Sequence, residues 1–324
     1  MKITLINCYF GILPNYFPLW LQSCGANPKV DFLFVTDSVM DTYDVPVNVH
    51  VIHKKWEELL KKIEAKFPFK IAINSPYKLT DFKPAYGYIF EEELSDSDYW
   101  GYCDIDLIFG DILKFIAPRI EEGYKKIYRL GHLTILENTP EMIHLFEKEG
   151  GAFKYTEVFS NKEFYSFDEH AGLMSIARKQ GVKEYYREEM ADISCRIKRM
   201  TASRQKNYDH QVFYYEKGSV YRAFVDNGNI QKEEYIYIHF QKRKLQIQSI
   251  GKSFYILGDM VVDKMAEGIP LLDDIDTYSN FVSSRIDRIQ IGWFKIKKIW
   301  KFLFCPLNEK IIWLKIKESE RQYA

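Results

Sequence analysis

The sequence predicts an α/β protein built on an open, mostly parallel sheet. Two observations carry that expectation. Short apolar runs alternate with segments of helical period through the first half of the chain. Three of those runs end in polar residues, at Asn7, at Thr36-Asp37 and at Asp104-Ile105-Asp106. In sheets of this kind ligands bind outside the carboxyl ends of the strands, so the three ends are expected to share one crevice.

The elements follow in order. Residues 3–8 form a short apolar strand, and 14–24 an aromatic-rich helix closed near Gly25. Residues 30–35 read as a second buried strand and 47–52 as an alternating third. Residues 56–67 have helical spacing with lysine pairs on the polar side. Thr80 or Asp81 is placed to cap a helix over about 82–94, with Pro84 tolerated in its first turn. The strand 99–103 then delivers the two aspartates. The second half is less regular: 126–136 holds one or two strands, and 140–148 a helix. Residues 167–181 read as a helix with acids in its first turn and glycine at its end. Strands are expected at 212–215, 220–225 and 235–240, with Asp226-Asn-Gly-Asn229 a turn between the last two. No repeat, low-complexity segment or Pro/Gly/Ser linker interrupts the chain, so one large domain followed by an appendage is expected.

Composition narrows the class. The 324 residues suffice for a large core, and 45 basic side chains balance 45 acidic ones, so no global charge favours nucleic acid. Aromatic residues make up 16% of the chain, which suits ring-lined sugar or base sites. Five cysteines without a Cys-x-x-Cys indicate neither a disulfide framework nor zinc. The apolar run at the N-terminus is short for a signal peptide, and no stretch has the length of a membrane span, which leads to a cytoplasmic expectation.

The chemistry concentrates at Asp104 and Asp106. Residues i and i+2 of a strand share a side, so both carboxylates can aim at one point while Ile105 turns into the core. Two hard oxygen ligands suit Mg²⁺ or Mn²⁺ carrying a diphosphate. The competing reading is a pair of surface aspartates at a strand end. His239 lies on an alternating strand, followed by Lys242, Arg243 and Lys244. A neutral imidazole can complete a metal set, and the cations can neutralise phosphate. The competing reading is an ordinary strand histidine and a solvated basic turn.

Together these residues resemble the GT-A class of nucleotide-sugar glycosyltransferases, and their order resembles glycosyltransferase family 8. The runs Ser75-Pro-Tyr-Lys-Leu-Thr-Asp-Phe-Lys-Pro-Ala-Tyr-Gly-Tyr-Ile-Phe90, Tyr99-Trp-Gly-Tyr-Cys-Asp-Ile-Asp-Leu-Ile-Phe-Gly-Asp111, Gly131-His-Leu133 and Ile238-His-Phe-Gln-Lys-Arg243 are similar to bacterial glycosyltransferases of capsule and lipopolysaccharide gene clusters. The family 8 pattern His-x-x-Gly-x-x-Lys is not present here. The resemblance implies a GT-A (Rossmann-like) fold with a mixed central sheet and a helical C-terminal appendage. It divides the chain into a catalytic domain at 1–250 (nucleotide-binding half about 1–112, acceptor half about 113–250) and an appendage at 251–324. It implies transfer from a nucleoside diphosphate sugar, foremost a UDP-sugar, to a glycan or lipid-linked acceptor. Asp104, Asp106 and His239 would hold Mn²⁺ or Mg²⁺, and Lys242 or Arg243 would meet the diphosphate. Asn7, Tyr9 and Asp37 are expected near the base, with Asp81 and Lys83 near the ribose or donor sugar. Asp81 has a second reading as a helix cap.

Asp168 and Glu169 matter for the acceptor. In an inverting enzyme one of them would be the general base; in a retaining enzyme the same position would hold donor hydroxyls. Their other reading is as acids set against a helix dipole. His132 and His170 can serve either site or neither. The tail from 285 to 324 holds ten Lys/Arg against four Asp/Glu, with Trp293, Phe294, Trp300 and Trp313 interleaved. That mixture suits the interface of an anionic bilayer over residues 285–317, which would put the chain on the inner face of the cell membrane. The alternative is a helix packed on the domain. Two rivals share the carboxylate pair: a metal-dependent nucleotidyl- or phosphotransferase, and a non-catalytic membrane-surface scaffold. No Gly-x-x-x-x-Gly-Lys-Ser/Thr phosphate loop supports the first.

Overall fold

Apolar runs that would otherwise leave backbone N–H and C=O groups unpaired line up as strands, and the computed structural model describes the result for residues 1–241, 243–247, 250–279 and 284–321. β1 (Ile3–Tyr9) leads through α1 (Phe17–Gly25) to β2 (Val30–Thr36), then to β3 (Val49–His53) and α2 (Trp56–Glu64). A ten-residue 3-10 helix (Pro76–Ala85) and α3 (Tyr86–Ile89) precede β4 (Tyr99–Cys103) and β5 (Leu107–Phe109). α4 (Ile112–Glu121), β6 (Lys126–Leu130), β7 (Leu133–Glu137), α5 (Pro140–Ile143), α6 (Tyr155–Phe159) and α7 (Leu173–Lys179) follow.

β8 (Glu184–Tyr185) and β9 (Ala191–Asp192) are short; β10 (Gln211–Glu216), β11 (Ser219–Asp226) and β12 (Asn229–Tyr235) are longer. Next come β13 (Tyr237–His239), β14 (Gln246–Ile247), β15 (Ser253–Ile256) and β16 (Met260–Asp263), then helices α8 (Leu272–Tyr278), α9 (Ser284–Phe304) and α10 (Leu307–Arg321).

The central sheet has the order β3-β2-β1-β4-β7-β6-β8. β3, β2, β1 and β4 run parallel, β7 is antiparallel to both β4 and β6, and the sheet is therefore mixed. The expected α/β architecture is present. Gly101 allows β4 to lie against β7, since a Cβ there would come 2.4 Å from the Thr134 carbonyl oxygen. Aromatic layers close both faces: Phe17 stacks on Phe34 at 5.1 Å on one side, and Phe82 on Phe159 at 4.0 Å on the other. A second sheet, β12-β11-β10-β15-β16-β14, includes the hairpin through 226–229 that the sequence signals. It runs past residue 250, where the sequence suggests that the domain ends. A third, small sheet joins β5, β13 and β9.

Three helices differ from expectation: the one over 140–148 is α only at Pro140–Ile143, and the other two lie beside one buried ion pair. In place of a helix over 82–94, the chain winds as a 3-10 helix and only Tyr86–Ile89 is α. Three residues per turn eclipse positions i and i+3, which puts Lys78 and Asp81 on one face. Asp81 is neither a cap nor near a cavity. It is fully buried, and its carboxylate accepts from Lys78 Nζ at 2.8 Å and from the backbone N–H groups of Tyr165 and Phe167 at 3.0 and 2.9 Å. Burial pushes its pKa up and Lys78 opposes that shift. With the Phe167 N–H committed to Asp81, the helix expected over 167–181 starts only at Leu173, after a non-helical Gly172 packed on Phe167. Asp168 and Glu169 consequently sit in turns ahead of the helix and not in its first turn.

α9 and α10 form a hairpin at the C-terminal end. α10 inserts Ile312 into the core beside α7 and its neighbours, while much of α9 is exposed. Among the described residues no helix is long and apolar enough to cross a membrane.

The buried pair yields a stability prediction. Asp81→Ala leaves Lys78 charged and unpaired in the interior, and urea denaturation should show a loss of about 3–5 kcal/mol. A loss below about 1 kcal/mol would show that the pair does not hold this segment.

Candidate active site at the strand carboxyl ends

The ends of β1 and β4, the loop before β7 and the small third sheet enclose a cavity of about 700 Å³. β4 stops at Cys103, where the Asp104 N–H donates to the His132 carbonyl at 3.0 Å. The chain then re-enters a strand: β5 pairs antiparallel with β13, with Leu107 opposite His239. β13 pairs parallel with β9, setting His239 opposite Asp192. The Phe240 N–H donates to the Asp106 carbonyl at 3.2 Å. These backbone pairings bring the side chains of residues 106, 192 and 239 together.

His239 is the hub. Its Nδ1 lies 2.9 Å from Asp192 Oδ1 and its Nε2 3.6 Å from Asp106 Oδ1. Gln241 Nε2 donates to the same Asp192 oxygen at 2.7 Å. The His132 ring stacks on His239 at 4.3 Å, and its Nδ1 is hydrogen-bonded to the Tyr237 hydroxyl at 2.7 Å. Burial lowers the pKa of His239, but hydrogen bonds to Asp106 and Asp192 outweigh it and carry the value up to about 10. Burial alone would raise Asp192; its bond to His239 and the nearness of His132 bring it down to about 2. Burial and the adjacent His239 hold His132 well below the ordinary histidine value.

Ligand atoms of Asp104, Asp106 and His239 all lie within 4.8 Å of one another, as do those of His132, Asp192 and His239. Two carboxylates and an imidazole, with Asp106 only 3% exposed, make a donor set that fits a divalent cation such as Mn²⁺ or Mg²⁺. The negative charge of Asp104 and the buried Asp106 calls for a cation.

The facing wall carries Lys83, Asp168 and Glu169. Lys83 Nζ donates to Asp104 Oδ1 at 2.5 Å and to the Gly131 carbonyl at 2.8 Å, and stands 3.7 Å from Asp168 Oδ2. Gly131 is required there, because a Cβ would lie 2.1 Å from Asp168 Oδ2. Glu169 Oε1 accepts from the Gly131 N–H at 3.1 Å. Burial pushes Asp168 well above the ordinary carboxylate range against the pull of Lys83, and raises Glu169 against the Gly131 N–H.

The remaining sequence candidates divide. Asn7 and Tyr9 line the cavity: Asn7 Nδ2 donates to the Cys103 carbonyl at 2.7 Å, and the Tyr9 hydroxyl to that of Ile12 at 3.0 Å. Asp37 lies behind the cavity, accepting from the Gly11 N–H at 2.9 Å where Gly11 has φ +105°. Asp81 is in the interior, as described above. Arg243 is turned away: its guanidinium donates to the carbonyls of Ser194, Ile197 (2.8 Å), Lys198 (3.0 Å) and Gly258 (3.0 Å). Its four acceptors fasten neighbouring loops, so it does not meet a diphosphate. Lys242 lies outside the described residues. Asp192 and Gln241 were not singled out from the sequence. Asp192 stands in an irregular stretch with no motif, and only strand pairing reveals it.

Comparison with known proteins places these observations in context. No curated protein matches the chain. The solved structure of the galactosyltransferase LgtC with donor and acceptor sugar analogues is 12% identical, with 60% of this chain and 75% of that chain covered and a TM-score of 0.34. Mouse xyloside xylosyltransferase 1 in its apo form is 9% identical, over 60% and 89%, at 0.36. The apo glycosyltransferase GlyE of Streptococcus pneumoniae TIGR4 is 12% identical, over 58% and 45%, at 0.28. Likenesses of this degree carry no argument about activity. Residues 5–265 match the profile of a family of unknown function (DUF6625), and the chain belongs to that family.

The second carboxylate on His239 gives the site its test. Asp192→Asn removes the charge that orients the imidazole, and calorimetry should show Mn²⁺ affinity lower by roughly 10–100-fold. Unchanged affinity would show that Asp192 has no part in cation binding.

Proposed function

We propose that this member of the family is a metal-dependent glycosyltransferase of GT-A type, moving a sugar from a nucleoside diphosphate sugar, foremost a UDP-sugar, to a surface-polysaccharide or lipid-linked oligosaccharide acceptor. The observation that carries the reading is the convergence of Asp104, Asp106 and His239 at the carboxyl end of β4, beside the end of β1. A strand-end carboxylate pair is where an open α/β sheet presents its ligand, and a lone surface pair has no reason to be buried against a histidine from a distant strand.

Transfer forms a bond between the acceptor oxygen and the anomeric carbon while the bond from that carbon to the diphosphate oxygen breaks; the hydroxyl proton passes to a base and the nucleoside diphosphate leaves. A divalent ion, when bound, stabilises the negative charge on the leaving diphosphate. Asp104, Asp106 and His239 hold it, and Asp192 with Gln241 keeps the His239 ring in place. Lys83 fixes Asp104 relative to Asp168, so the ion-binding and acceptor-facing walls move as one unit. Asp168 or Glu169, both with raised pKa, takes the acceptor proton in an inverting course; in a retaining course they orient donor hydroxyls. Asn7 and Tyr9 lie where the base enters, and Asp37 shapes the loop after β1. We assign catalysis to residues 1–250 with the strands that complete its sheet, and attachment to the inner face of the cell membrane to α9, whose Trp293 and Trp300 are exposed beside lysines.

Calorimetric titration of UDP and then GDP, with and without Mn²⁺, tests the reading. Wild type should bind one nucleotide only when Mn²⁺ is present, and Asp106→Asn should weaken that binding at least ~100-fold, as loss of one residue that would hold the ion demands. Binding of neither nucleotide under any condition rejects the proposal.

A further inference from the structure

A second cavity, of about 770 Å³, opens between the C-terminal hairpin and the body of the protein. It adjoins the first: Tyr77, Phe164 and Ser166 line both. The Tyr77 and Phe164 rings, 5.1 Å apart, stand at the junction, and the Tyr77 pKa is raised by burial and by Asp168 and Asp104 on the far side.

The hairpin is fixed over this cavity at both helices. On α9, Gln290 Oε1 accepts from the Lys198 N–H at 3.2 Å, and the Arg196 guanidinium lies 5.5 Å from the Phe294 ring. On α10, Ile312 enters the core and Ile316 packs against it. Phe302 and Trp313 join the two helices at 4.8 Å.

The sidedness of α9 is unusual. Phe294, Lys297, Lys298, Lys301, Phe302 and Cys305, at the i, i+3, i+4, i+7 spacing of one helix face, line the cavity. The opposite side presents Trp293, Ile296, Trp300 and Leu303 to the exterior, each 47–60% exposed. A helix docked on a protein normally turns its apolar side inward and its lysines outward. Here three lysines face a cavity whose other walls carry aromatic and aliphatic side chains together with Glu163, Glu309 and Glu320. Lys317 on α10 pairs with Glu320, but among the described residues no carboxylate lies within ion-pair distance of Lys297, Lys298 or Lys301. Burial and the neighbouring charge of Lys317 lower the Lys298 pKa against the pull of Glu320.

We infer that this second cavity is the acceptor subsite and that the acceptor is an amphiphile bearing a phosphate group next to an apolar chain. The inference rests on the transferase reading for the word acceptor; the ligand class rests on the cavity itself. Lys297, Lys298 and Lys301 meet the phosphate, Phe302, Trp313 and Ile316 the chain, and the Tyr77–Phe164 pair passes the sugar end toward Asp168 and Glu169. The outward apolar stripe of α9 lets the chain continue into lipid.

The probe is octyl phosphate, titrated calorimetrically into the full chain, with octyl glucoside and inorganic phosphate as controls. Octyl phosphate should bind at least tenfold more tightly than either control. The double variant Lys297→Glu with Lys301→Glu, both exposed positions, should lose that binding at least tenfold while its Mn²⁺-dependent UDP titration matches wild type. Equal binding of octyl glucoside or of inorganic phosphate overturns the ligand class. A variant that still binds octyl phosphate, yet no longer binds phosphatidylglycerol vesicles, also overturns it, because the lysines then read a bilayer and not a single acceptor. Octyl phosphate binding by a wild type that binds no nucleotide upholds the ligand class and overturns the acceptor role.

Discussion

His239 lies between two carboxylates because three short strands, far apart in the chain, pair with one another. β5 follows the Asp104–Asp106 turn directly, β13 brings His239 from more than a hundred residues later, and β9 brings Asp192 to the other side. Backbone pairing sets the register, and a shift by one residue would turn His239 to the opposite face. The donor set, the orientation of the ring and the floor of the cavity all depend on that register. Two of the helices that depart from expectation depend on a comparable buried contact, the Lys78–Asp81 pair and its hold on the Tyr165 and Phe167 N–H groups.

These two buried anchors explain how a loop-rich site keeps its shape. Asp81 pins the segment before α7, so the turn carrying Asp168 and Glu169 is drawn against Gly131, where only a glycine leaves room for the Asp168 carboxylate. Lys83, two positions beyond Asp81 in the same 3-10 helix, then reaches Asp104 and closes the circuit. Burying so many charges is costly in isolation, and each has a partner: Lys78 with Asp81, Lys83 with Asp104, His239 with Asp106 and Asp192. Lys83 ties the wall that carries Asp104 to the wall that carries Asp168.

The C-terminal hairpin extends the same crevice outward. Its inner lysines and outer aromatics reverse the sidedness of a docked helix, and Ile312 and Ile316 of α10 join it to the core. An attachment of that kind leaves most of the binding surface of α9 facing either the second cavity or the exterior.

The sequence by itself determined the α/β class, two of the three strand ends expected at the site, those of β1 and β4, and the candidates Asp104, Asp106 and His239 that the fold brings together. Those features are local: period-2 apolar runs, an Asp-x-Asp at a strand end and an alternating strand before a basic cluster are all visible within a dozen residues. The tertiary structure decided what depends on distant partners. It moved Asp81 from a cap to a buried anchor, removed Asp168 and Glu169 from a helix terminus, and diverted Arg243 to four loop carbonyls. It also introduced Asp192, which no local pattern marks, and its contact with Gln241. A side chain's neighbours across a strand pairing or a buried charge pair are set by residues tens to hundreds of positions away, and no window of sequence contains them.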